Sequence, residues 1–210
     1  MRDFPVFDTQ YGVASLTLRE IPYRKRVYIK ILDTLEPEKL LLECRSFCTA
    51  VGAEEIFASG HKILEKYPLH ATIVRMECDR DKLLFGDAVA VAVTEETAER
   101  WRQIYNEKME NVPNAAFMDE AQVKKLPKSG YFIYKGDTMI GIGKIGDNII
   151  EAVASLQSGA GGEVVSALAK CMFGQSVSLE VATQNTPAIA LYERLGFAVT
   201  GEISSWYKIL

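Results

Sequence analysis

At 210 residues, with 48% hydrophobic and 25% charged residues and a formal charge of −4, the chain has the makeup of a globular protein of one or two domains, long enough to bury a proper core. The acidic balance, with no basic cluster to override it, excludes a nucleic-acid surface, and Arg24-Lys25-Arg26 reads as a solvated hairpin turn. No apolar run is long enough to span a bilayer, and residues 1–5 are polar with no apolar run behind them. Neither a membrane span nor a secretory leader is therefore expected, and the expected compartment is the cytoplasm.

Taken in order, residues 13–20 and 26–35 read as two strands around the turn Pro22-Tyr23-Arg24-Lys25. Residues 36–51 form an amphipathic helix ended by Gly52. Cys44 and Cys48 stand four apart on it and share a stripe with Leu40, Leu41, Phe47 and Val51, which makes them buried thiols of a reducing compartment rather than ligands. Residues 55–59 are a short strand, 61–67 a short helix closed by Pro68, and 69–77 another strand. Residues 79–85, with Gly86, form a linker. Residues 87–94 then open a second unit as a strand, and Ala98, Trp101, Ile104, Tyr105 and Met109 mark a helix over 95–110. Pro113 breaks that helix, and a less regular one follows over 117–126. Two strands, 130–134 and 138–145, flank the hairpin turn Lys135-Gly136-Asp137. With His61 and His70 far apart, and Cys78 and Cys171 isolated, neither a metal site nor a nucleophile–histidine pair is expected.

The chain is organised around residues 148–197. Residues 149–156 are apolar apart from Glu151 and read as a buried strand. Gln157-Ser158-Gly159-Ala160-Gly161-Gly162 follows as a turn almost without side-chain bulk, and then a helix with Val164, Val165, Leu168 and Met172 on one face. Such a turn exposes unpaired N–H groups at the positive end of a helix dipole and suits a pyrophosphate; it equally suits a tight connection and nothing more. Residues 177–182 are the next strand. Asn185-Thr186-Pro187 opens a second helix, with Thr186 as cap, that carries Ala188, Leu191, Tyr192 and Leu195 and stops at Gly196. Residues 198–210 add one or two closing strands.

The run Asn185-x-x-Ala188-x-x-Leu191-Tyr192-x-x-x-Gly196-Phe197 resembles the GNAT superfamily of acyl-CoA-dependent N-acetyltransferases, and Gln157-x-x-Ala160-x-Gly162 is similar to its pyrophosphate signature. A second register, pairing Gly159 with Gly161, sets Ser158 in place of Gln157 and turns Ser166 onto the buried helix face. The resemblance covers residues 85–210. It implies an α/β (α+β) fold with a mixed, mostly antiparallel sheet flanked by helices, acetyl-CoA as acyl donor, and a small-molecule amine or peptide as acceptor. No metal, nucleic acid or membrane takes part in that reading, and the oligomeric state stays open. The donor would lie along residues 149–156, with Val153 and Ala154 as main-chain partners, and its pyrophosphate would meet residues 157–162. Asn185 and Ala188 would face the pantetheine arm, and Tyr192 would protonate the departing thiolate; outside the motif Tyr192 is an ordinary core aromatic. Glu151 corresponds to a glutamate that serves some members as base, and otherwise faces solvent or pairs with a neighbouring strand. Glu180 is a second candidate base, and water a third. A non-catalytic acyl-CoA-binding or regulatory module with the same fold is the alternative.

Residues 1–84 repeat the order strand, helix, strand, short helix, strand, and read as a reduced, diverged GNAT-like unit or as a chance likeness between two α/β units. Its first turn, Asp33-Thr34-Leu35-Glu36-Pro37-Glu38, is acidic and lacks glycine, so this unit is not expected to hold phosphate.

Overall fold

The computed structural model describes residues 5–210; the reading of the segment that starts at Met1 as free of a leader falls mostly on residues 1–4, outside them. In chain order the elements are β1 (Val6–Thr9), β2 (Gly12–Thr17), a helical turn α1 (Ile21–Arg24), β3 (Arg26–Thr34), α2 (Pro37–Ala50), β4 (Glu55–Ser59) and β5 (Leu69–Asp79). There follow β6 (Val89–Ala92), α3 (Ala98–Met109), the single turn α4 (Glu120–Val123), β7 (Gly130–Lys135) and β8 (Thr138–Ile145). Last come β9 (Ile149–Ser155), α5 (Gly161–Lys170), β10 (Ser176–Ala182), α6 (Thr186–Arg194) and β11 (Ala198–Lys208). Short 3-10 turns occupy Lys62–Lys66, Arg80–Leu83 and Leu126–Lys128.

Two compact units divide the chain, one of Met1–Thr72 with Ile203–Leu210, the other of Ile73–Glu202. The first unit has strand order β1-β2-β3-β4-β11, antiparallel except where β3 and β4 run parallel. Its helix α2 begins with Pro37, which suits a first turn because its missing N–H would have had no helical acceptor. Leu40, Leu41, Cys44 and Cys48 lie buried along one stripe of that helix, against Ala14, Leu16, Val27, Ile29 and Ile56. Burial pushes the Cys44 thiol up to about 12 and Cys48 to about 11, so both stay protonated and act as small apolar side chains. Phe47 and Val51, expected on the same stripe, are exposed; the Phe47 ring instead meets Phe7 at 5.2 Å.

In the second unit the order is β5-β10-β9-β8-β7-β6, antiparallel except between β9 and β10. Antiparallel β8–β9, then a helix, then a parallel strand is also the connectivity of β2–β3, α2 and β4. Helix α5 is buried almost all round, from Val164 to Ala169, as befits a helix covered on both sides. Gly141 and Gly143 on β8 let it lie close to the sheet: a Cβ at Gly141 would stand 2.5 Å from Val164 Cγ2, and one at Gly143 2.3 Å from Leu168 Cδ1. Small residues within a strand commonly mark such an approach. Gly143→Ala is therefore expected to destabilise the protein by about 1–3 kcal/mol through overpacking, read as a lower midpoint in urea.

Three expectations from sequence differ from this fold. The expected boundary at 84/85 does not coincide with the division at 72/73 and 202/203. Residues 73–79 pair with β10, and the chain's end returns to the first unit, where Ile209 packs beside Ile56 and Leu64. Nor are residues 79–85 a linker: Leu83 is fully buried in the second unit's core, and Phe85 is bonded through its backbone to Ser166. The helix expected over 117–126 shrinks to one turn, because Asn106 takes both the N–H and the C=O of Met118 at 2.9 Å, and Asp119 and Gln122 form a capping box behind it. The four-residue strand β1, too short for a periodic signal, was not foreseen.

Candidate functional site

Strand β9 keeps an antiparallel register with β8 at Gly141–Ser155, Ile142–Ala154, Gly143–Val153 and Lys144–Ala152, then skips one residue so that Ile145 faces Ile150. Glu151 is the extra residue of this bulge, which bends the strand and increases its twist. On the other side β9 runs parallel to β10 only at Ile149–Ser178 and Ile150–Leu179. Past the bulge the two strands part, and that edge of β9 has no ladder partner among the described residues. The Leu156 N–H donates to the Ile140 carbonyl at 2.8 Å, and the two-residue period turns the peptides of Ala154 and Ala152 toward β8 as well. The peptides of Val153 and Ser155 therefore face the open edge. Of the two main-chain partners expected from sequence, the Val153 peptide faces this open edge, whereas the Ala154 peptide belongs to the β8 ladder.

The glycine-rich turn follows directly. Gln157, Ser158 and Gly159 are exposed, with Gly159 at φ +82, in the left-handed region that favours glycine. Ala160 and Gly161 are buried, and α5 begins without a side-chain cap. The Ala160 N–H reaches the Gln157 carbonyl at 3.3 Å, while those of Gly161, Gly162 and Glu163 have no acceptor among the described residues. A Cβ at Gly161 would come within 2.7 Å of Leu191 Cδ2, so packing of α6 on α5 requires glycine there. At Gly162 the nearest atoms to an added Cβ are Leu195 Cδ2 at 3.5 Å and Phe85 Cζ at 3.7 Å, ordinary contacts that admit a Cβ. The carboxylate of Glu163, the one acidic group in the first turn, is held by Lys135 at 3.0 Å and 2.9 Å. Free N–H groups at the positive end of a ten-residue helix fit a phosphate, and the open edge of β9 fits an extended chain bearing amides. Ser166 is fully buried, bonded to the backbone of Phe85, so its burial does not exclude the register that pairs Gly159 with Gly161.

Helix α6 is capped by Asn185, whose Oδ1 accepts from the Ala188 N–H at 3.4 Å; Thr186, expected as the cap, is its first helical residue. Ala188 is half-buried beside the second unit's core, as are Leu191 and Val153. Tyr192 lies within that core, 9% exposed, its ring 5.7 Å from that of Phe197 in an edge-to-face pair. Burial pushes its hydroxyl up to about 12.

The two carboxylates proposed as bases are both engaged. Glu151 is bonded to Lys144, its neighbour on β8, so it is not a lone carboxylate on an apolar strand. Glu180 meets Arg75 directly across the β10–β5 ladder at 2.9 Å. Sequence reasoning missed Gly141, Gly143 and Phe85 near this site. Two glycines alternating inside a strand were the available signal for the first pair; nothing local marked Phe85.

A mixed sheet, mostly antiparallel, parted beside a glycine-started crossover helix defines the class. Residues 154–207 match the family described as FR47-like protein. Among solved structures, a functionally unknown conserved protein from Staphylococcus epidermidis is similar at a TM-score of 0.63 and 13% identity, over 99% of this chain and 94% of that one. A GCN5-related N-acetyltransferase from Sphaerobacter thermophilus is similar at 0.56 and 14%, over 93% and 75%. A third likeness, at 0.60 and 12% over 95% and 69%, is to a protein from Pyrococcus horikoshii described as a putative acetyltransferase. No curated protein sequence matches the chain. The chain shares the fold of GCN5-related N-acetyltransferase structures, at low sequence identity. Among the described residues no helix is long and apolar enough to cross a membrane, and no group of three His, Cys, Asp or Glu converges on a metal position.

Proposed function

We propose that this protein transfers an acetyl group from acetyl-CoA to a primary amine, on a small molecule or a peptide, by direct attack. The observation that carries the reading is the parting of β9 from β10 at the Glu151 bulge, immediately before an uncapped glycine-rich helix start. The N–H groups of residues 161–163 would hold the pyrophosphate, with Gln157, Ser158, Gly159 and Ala160 shaping the turn. The open edge of β9 would bind the pantetheine arm through Val153, with Asn185 and Ala188 opposite. The Val153 N–H is then the donor that stabilises negative charge on the thioester oxygen during attack. Tyr192 supplies a proton to the departing sulfur; a hydroxyl raised to about 12 stays protonated at neutral pH, where it can serve as an acid. Glu151 and Glu180 are each held by a cation, so the reading gives the amine's proton to water. Four free cysteines suit work in the cytoplasm.

The test is thiol release from acetyl-CoA against pooled amines, polyamines, amino acids and peptides. Release above the hydrolysis rate with one pool supports the reading. Binding of acetyl-CoA with no release in any pool favours the non-catalytic acyl-CoA-binding module, which the replacement of a signature glycine by Ala160 also suits.

One donor should bind per chain. In the first unit β3 and β4 stay paired over five positions, from Arg26–Glu55 to Lys30–Ser59. Beyond them a Cβ at Gly60 would lie 2.3 Å from the Ile31 carbonyl, which closes the place where β9 and β10 part in the second unit. Glu36 at the N-cap of α2 and Glu38 in its first turn are engaged by Lys39 and Lys66. Titration calorimetry is expected to give a stoichiometry of one, and a value of two would place a second site in Met1–Thr72.

A further inference from the structure

Phe85 has no part in the reading above, yet it stands at the edge of the phosphate turn. The residue is 40% exposed, and its Cζ and Cε2 lie 3.7 Å and 3.9 Å from where a Cβ of Gly162 would be. Gly162 is the second residue of α5, one of the three with a free N–H. The backbone of Phe85 is fixed from both sides by a single hydroxyl: its N–H donates to Ser166 Oγ at 3.1 Å, and Ser166 Oγ donates to its carbonyl. Ser166 is 0% exposed, so a buried polar group on the inner part of α5 is satisfied, among the described residues, by this latch. Lys170 adds a bond to the Gly86 carbonyl at 2.8 Å, and Leu83 anchors the segment in the core from the other side. A half-exposed aromatic ring is thus held rigidly on a tethered backbone, beside the N–H groups proposed for the pyrophosphate. An aromatic face at that distance from a phosphate site matches what a nucleoside diphosphate presents, a flat base a few bonds away from its phosphates.

We propose that Phe85, latched by Ser166, is the platform on which the adenine of the donor stacks. The inference rests on the acetyl-CoA reading and goes beyond it by naming the subsite for the nucleobase. Stacking of a base on an aromatic ring is sequence-tolerant and shallow, which suits a ring that is half exposed rather than enclosed.

The test compares two ligands, acetyl-CoA and acetyl-4′-phosphopantetheine, which lacks the adenosine part. Phe85→Leu keeps apolar bulk against Gly162 and removes the π face. It is expected to weaken acetyl-CoA about tenfold and leave acetyl-4′-phosphopantetheine unchanged, whereas Phe85→Trp keeps or improves the acetyl-CoA affinity. Ser166→Ala frees the Phe85 backbone and should repeat the acetyl-CoA loss, again without effect on the truncated ligand. If wild-type protein binds acetyl-CoA and Phe85→Leu binds it equally well, the platform is overturned and the site reading stands. If both ligands weaken alike in Phe85→Leu, the ring supports the fold of the turn and not the base, and the proposal fails. Wild-type protein that binds neither ligand overturns the acetyl-CoA reading itself.

Discussion

Gly162→Asp is expected to abolish the rise in melting temperature that acetyl-CoA gives the wild-type protein. A ligand at about a hundred times its dissociation constant stabilises the folded state by about 2.7 kcal/mol, which for a chain of this size is roughly 5–10 °C. The substituted carboxylate would stand among the free N–H groups of residues 161–163 and occupy the charge and the donors that phosphate would use. Fold stability should hold, because an Asp in the first turn of a helix is favourable and a Cβ there would make only an ordinary van der Waals contact, 3.5 Å from Leu195 Cδ2. That tolerance is why position 162 is the informative one. At Gly161 a new side chain would meet Leu191 at 2.7 Å, and a lost thermal shift there would report damaged packing as readily as lost phosphate binding. A folded Gly162→Asp protein that keeps the full shift would show that phosphate is held elsewhere.

Tyr192→Phe should lower kcat by about 10- to 1,000-fold with little change in acetyl-CoA affinity. The ring packs edge-to-face on Phe197 within the core, and phenylalanine preserves that packing. The hydroxyl makes no hydrogen bond to a described residue, so its removal should leave the melting temperature at neutral pH nearly unchanged. A second readout separates chemistry from structure. The folded-state value of Tyr192, about 12, stands above the ordinary value of 10.0, so the unfolded chain ionises first. Stability from this group is full below pH 10 and falls as pH rises toward about 12, and Tyr192→Phe should flatten part of that alkaline decline. Tyr28, also raised to about 12 by burial, contributes the same sign and remains in the variant. Full turnover in a stable Tyr192→Phe protein would leave the departure of the thiolate to water.

Much of the second unit was legible because its signals are local. The strands over 130–145 declare themselves by alternation about Gly136-Asp137, and β7 and β8 are found there. The spacing of Ala188, Leu191, Tyr192 and Leu195 predicts α6, and Gly196 ends it at φ +91, a backbone conformation that glycine adopts readily. Asn185 is expected at the site on its motif, and the structure shows its side chain as the helix cap. What was misread concerns partners distant in sequence. Glu151 looked like a lone charge on an apolar strand because Lys144 lies on another strand, in a register that the bulge shifts by one residue. The run 79–85 looked like a linker because Asp79, Arg80, Asp81 and Lys82 are polar, while the burial of Leu83 and the latch on Phe85 depend on α5, about eighty residues later in the chain.

By itself the sequence determined the elements whose hydrogen bonds and buried faces close within a short span: α2, α3, α5, α6, the β7–β8 hairpin and the glycine-rich start of α5. Helical periodicity and turn chemistry act over a few residues, so they can be read without knowing the neighbours. Only the tertiary structure decided which peptide groups of β9 are free. That depends on β8 setting one register, β10 pairing for two residues, and the bulge at Glu151 turning the strand away. Tertiary structure alone likewise gave the first unit the last eight residues of the chain and made Ser166 the anchor of Phe85. Pairing between strands is a contact between distant segments, and its register is set by the packing of both faces at once, which no local run of residues contains.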